Sequence, residues 1–225
     1  MLSGAVTLDT RYSFTAQFLS ASALQAREAF AIEAKPTEGI SEEDRTRHRG
    51  YVVGAIMQSV AALEAEIWEV MRYGPGHHLG SNGIDAVARE FLNPVADLVD
   101  RQDAVSRYAT VLHLLHKDAI DAGAAVSENA SLVVKLRNEI VHYKSKWGTE
   151  LERAKLFGTL QAKSHRRPPF QPATGMNFFP HHCLSAECAA WAVESCAGYI
   201  TLFYNNLGIP SPLANYADRL KTRPE

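Results

Sequence analysis

Residues 137–142 of this chain read Arg137-Asn138-Glu139-Ile140-Val141-His142. Three of these side chains can handle a phosphodiester. A histidine changes charge near neutral pH and can take a proton from a hydroxyl or return one to a leaving oxygen. An arginine offers a planar fork of donors and a permanent charge to a phosphorane-like transition state. Asn138 precedes His142 by four residues, close enough on a helix to steady the ring or a phosphate oxygen. Together they could cleave a ribose-linked phosphodiester without a metal. The alternative is a surface arginine and an exposed helix histidine with no chemical role.

The elements that must position them read as helices, with no run of strand-like alternation. A first helix is expected from Arg11 to Ala34. Ser41, followed by Glu42, Glu43 and Asp44, caps a long second one that Gly74-Pro75-Gly76 stops. A shorter helix is expected from Ile84 to Leu92, ending at Asn93-Pro94, and another from Gln102 to Ala122, closed by Gly123. Ser127 caps the helix that carries the motif, and Gly148 ends it, with Lys144 and Lys146 in its last turn. A weak helix follows over 149–162. Ser185 caps the last helix, which runs to Asn206. The fold class is therefore all-α, an antiparallel helical bundle of five to six main helices, with residues 1–208 as one domain. Residues 164–184, with four prolines, form an ordered or semi-ordered loop, and 209–225 form an irregular tail.

On a helical wheel for 130–147, Leu132, Val133, Leu136, Ile140, Tyr143 and Trp147 make a core-facing stripe. Ser131, Lys135, Asn138, His142 and Lys146 share a polar face. Arg137 lies about 140° from His142. Between them runs a second apolar strip, Ala130, Val134 and Val141, which suggests a further packed helix or subunit.

The R-N-x-x-x-H string resembles the signature of the HEPN superfamily (higher eukaryotes and prokaryotes nucleotide-binding). SVAALEAEIWEV resembles an early helix of such proteins. NFFPHHCLSAECAAWA resembles the segment leading into the last helix of some uncharacterised bacterial members. The resemblance spans most of residues 11–207 and is specific only in the six-residue motif. It implies a helical bundle, commonly a homodimer with two motifs facing one cleft, and no cofactor. It further implies metal-independent RNA cleavage in toxin–antitoxin or phage-defence systems, with an antitoxin or defence protein as partner. Carried over, His142 is the general acid/base, Arg137 the charge stabiliser and Asn138 the polar helper. A tyrosine often follows the histidine, after one intervening residue, in toxins paired with nucleotidyltransferase antitoxins. Here that position is Lys144. Other members of the superfamily are non-catalytic RNA- or protein-binding modules.

Between Lys135 and Arg167 nine Lys/Arg residues face three Glu, a local charge of +6 in a chain of net charge −2. Lys135, Lys146, Arg166 and Arg167 are the candidate RNA contacts, with Phe170 as a possible stacking ring. A solvated helix end followed by a basic loop explains the same residues without RNA. His113 with His116, and His181-His182-Cys183 with Cys188, lack the further ligands a metal site would need. His77-His78 reads as a solvent loop. The three cysteines, Cys183, Cys188 and Cys196, suit a reducing compartment. With no secretory leader and no membrane span in view, a cytoplasmic protein is expected.

Overall fold

The computed structural model describes residues 13–79, 83–145, 147–163 and 165–224. Among these the chain is all-helical, without strands. The helices are α1 (Thr15–Glu33), α2 (Glu42–Tyr73), α3 (Gly83–Ala96), α4 (Ala104–Leu114), α5 (Ala125–Val141), α6 (Gly148–Arg153), α7 (Lys155–Gln161) and α8 (Ala186–Leu207). None of them is long and apolar enough to cross a membrane.

The central scaffold is α1, α2 and α8, each packed on the other two, with α5 against α8 and α2. Small residues let α1 approach closely: Leu19, Ala23, Ala26 and Ala29 are buried, as are Ala55, Ile56, Val60 and Leu63 of α2. Ser22 adds a hydrogen bond to the Ala55 carbonyl across this contact. Tyr108 of α4 packs edge-on against Tyr199 and Phe203 of α8 and donates its hydroxyl to the Leu63 carbonyl at 3.1 Å.

Local signals account for several helix ends. Ser41 and Asp44 form a reciprocal capping box on α2. Ser185 accepts the Cys188 N–H at the start of α8, and Gly208, with φ of 78°, closes that helix in the left-handed conformation. Gly74 (φ 90°, ψ 156°) ends α2 in a region open essentially to glycine alone.

Four boundaries differ from expectation. Helix α3 runs through Pro94 for a final turn, because a proline near a C-terminus forfeits only one late hydrogen bond. Helix α4 stops at Leu114 rather than Ala122. His116 takes the left-handed conformation usually left to glycine (φ 52°), and the Lys117 N–H closes back on the Leu112 carbonyl at 2.9 Å. Ser127 does not cap α5 but lies inside its first turn, donating to the Asp121 carbonyl at 2.6 Å. Helix α5 ends at Val141, so its apolar stripe ends with Ile140. Tyr143 turns towards Phe179, and Trp147 is 81% exposed.

The proline-rich loop is ordered, as its sequence predicts, and the tail is more ordered than expected. The proline-rich loop seats Phe170 among Ile32, Ile40 and Tyr51. The tail beyond Gly208 forms a 3-10 turn over Ala214–Leu220 that packs on α1. Thr222 and Arg223 then bind Glu194 of α8 at 2.7 and 2.6 Å.

Candidate functional site

Arg137, Asn138 and His142 lie at the C-terminal end of α5, and each meets a different environment. Arg137 turns towards α2 and pairs with Glu64. Asn138 opens on a groove of about 410 Å³ between α4 and α5, together with Lys135, Ser131, Ser106 and Tyr199. His142 is the C-cap residue; its backbone N–H reaches the Asn138 carbonyl at 2.9 Å and the residue is exposed. Within one chain, Lys135 and Asn138 therefore share a groove, whereas Arg137 faces the neighbouring helix.

The Arg137–Glu64 pair is partly exposed, with side chains 19% and 41% accessible. A pair of that kind is worth about 0–1 kcal/mol, so a phosphate could take over the guanidinium at small cost. Polar side chains, apolar ones such as Val105, Ile120 and Val134, and the Tyr199 ring together line the groove. Asp103 on its wall caps α4, accepting from the Ser106 N–H at 3.1 Å. Burial and the nearby Asp103 charge push the Tyr199 phenol up to about 12, which keeps it a neutral hydroxyl.

The second apolar strip of α5 is largely covered inside the chain: Ala130 and Val134 are buried, and only Val141 is exposed. It therefore offers little surface to a second subunit. Lys135 and Arg166 are exposed and Arg167 is half-buried, while Lys146 lies outside the described residues. Phe170 is no stacking platform. It is buried, edge-on to His48 and under the Arg45 guanidinium. Among the described residues no group of three or more His, Cys, Asp or Glu side chains gathers as a metal site would.

No matching family model, curated protein or solved structure was found for this chain.

A buried polar cluster that the sequence pattern barely announces lies beneath the Gly74-Pro75-Gly76 turn. His77 is no solvent residue: its side chain is 2% exposed, 3.2 Å from Glu69, and its Nδ1 bonds the Gly74 carbonyl at 3.0 Å. Tyr204 donates to the buried Glu66 carboxyl, and His78 packs edge-on against the Tyr204 ring while bonding the Pro210 carbonyl. One signal was available. Glu66 falls in register with Leu63, Ile67 and Val70 on the core face of α2.

The cluster sets a pH dependence. Burial alone would lower His77, but its bond to Glu69, the Glu66 charge and the Gly74 carbonyl outweigh that and raise it. Burial raises Glu66 against the Tyr204 bond. Both groups hold a proton more tightly folded than unfolded. Their stabilising contribution is therefore complete below the unfolded values, 4.5 for Glu66 and 6.5 for His77, and is lost as pH rises through the folded ones. His165 and His181, lowered chiefly by burial, act oppositely but only below about 6.5. We expect urea midpoints to fall as pH rises above 6.5, and His77→Gln to flatten that decline. Parallel slopes in the two proteins would refute this.

Proposed function

We propose that this chain is a metal-independent endoribonuclease of HEPN type, of the toxin or phage-defence class. The observation that carries the reading is the R-N-x-x-x-H string at the end of a bundle helix, with His142 exposed and the Asn138–Lys135 groove beside it. In this reading His142 takes the proton of a ribose 2′-hydroxyl as that oxygen attacks the adjacent phosphorus. Arg137, released from Glu64, meets the charge of the phosphorane. The P–O5′ bond then breaks, and the proton passes to the leaving 5′ oxygen. The products are a 2′,3′-cyclic phosphate and a 5′-hydroxyl. A homodimer would bring two such helix ends to one RNA, and an antitoxin or defence partner would restrain them.

Labelled RNA incubated with the purified protein in EDTA tests the proposal. Fragments bearing cyclic-phosphate ends are the expected result, and an intact panel of single-stranded and structured RNAs would contradict it. The RNA contact makes a separate prediction. Lys135→Ala and Arg166→Ala are each expected to reduce the slope of log affinity against log salt by about 0.7 for single-stranded RNA. An unchanged slope in both variants would remove those residues from the interface.

A second reading, a non-catalytic HEPN-like module that docks RNA or a protein, is favoured by one observation: Arg137 is already engaged by Glu64. It predicts RNA binding without cleavage.

A further inference from the structure

The proline-rich loop builds a second polar site, away from α5. Its wall is the first part of α2, where Arg45 and Arg49 stand four residues apart on one face. Opposite them the loop contributes Gln171, Met176 and His181, and Thr46 and Glu42 complete a hollow of about 360 Å³.

The loop is held firmly in place. Phe170 is buried, Arg45 lies over its ring and donates to its carbonyl at 3.2 Å, and His182 bonds the Pro172 carbonyl at 2.8 Å. Arg49 makes no hydrogen bond or ion pair among the described residues. Arg45 uses one of its guanidinium N–H groups on Phe170 and keeps others.

We infer that this hollow is a binding site for a phosphate monoester, gripped by the Arg45 and Arg49 guanidiniums with Thr46, Gln171 and His181 as neutral partners. Two guanidiniums against the single carboxylate of Glu42 favour a dianion over a monoanion. His181 is lowered by burial first and then by the charges of Arg49 and His182, so it enters as a neutral imidazole rather than a third cation. Along α2, Arg49 precedes Glu64 by fifteen residues, roughly 22 Å at 1.5 Å per residue. The site is thus separate from the Arg137–Glu64 pair and does not depend on the ribonuclease reading.

The test follows the His181 ring by nuclear magnetic resonance in the full chain while inorganic phosphate is added, with sodium chloride at matched ionic strength as control. A saturable shift is expected, together with a rise in the His181 titration midpoint. Arg49→Ala should weaken binding at least about tenfold, Arg49→Lys less so, and His142→Ala not at all. Glu42→Gln should tighten it. Dimethyl phosphate, a monoanionic diester, should bind at least about tenfold more weakly than phosphate. A shift reproduced by sodium chloride, or preserved in a folded Arg49→Ala protein, would overturn the site. Equal binding of the diester would overturn its assignment to monoesters.

Discussion

Replacing Glu33 by alanine is expected to cost about 3–5 kcal/mol of stability. The last residue of α1 ties together three helices through one carboxylate oxygen. That oxygen lies 2.8 Å from His48 Nε2 on α2 and accepts the Ala186 N–H, also at 2.8 Å, at the start of α8. The two side chains are 7% and 3% exposed, so water cannot replace what is lost. Truncation leaves a buried imidazole and a buried helix N–H without their acceptor, each costing about 1–3 kcal/mol. It also removes a negative charge from the positive end of α8. Glu33→Gln keeps an acceptor and should fall between wild type and alanine. Urea unfolding decides the matter. A Glu33→Ala loss below about 1 kcal/mol, the ordinary range for a surface change, would show that the helices do not depend on this junction.

The second large effect concerns chemistry. His142→Ala should lower RNA cleavage by about 10²–10⁴-fold, the usual contribution of a positioned acid/base. It should leave stability nearly unchanged, since His142 is exposed and joins α5 through its backbone alone. Arg137→Ala should lower cleavage by about 10²–10³-fold while losing only the small energy of a partly exposed ion pair. Activity loss without stability loss is what distinguishes a chemical role from a packing role at either position.

Much of the bundle was legible because its punctuation is local. Ser41 with Asp44, Gly74, Ser185 and Gly208 each satisfy a helix end within a few residues, and each reads directly from the sequence. The failures share a cause. The turn after α4 closes on His116 in a conformation for which glycine is the usual signal, so the helix looked longer than it is. The end of α5 at Val141 carries no breaker at all. Tyr143 leaves the helix line towards Phe179, a partner 36 residues further on that periodicity cannot reveal. Burial of Phe170 and His77 likewise depends on contacts distant in sequence.

The site was legible as a string and less so as a geometry. The wheel correctly put Asn138 and Lys135 on one face and Arg137 on another. It could not show that Glu64 waits on α2 to pair with Arg137, or that Ala130 and Val134 are covered by the chain itself. Glu33 and His48, 15 residues apart on separate helices, carry no motif either.

The most direct measurement is cleavage of end-labelled RNA in EDTA by wild type and His142→Ala side by side, with the product ends identified. The expected result is 2′,3′-cyclic phosphate ends from the wild type and at least about a hundredfold less product from a folded variant, by the usual weight of an acid/base. Equal cleavage by the two proteins, or RNA bound and left intact by both, would contradict it.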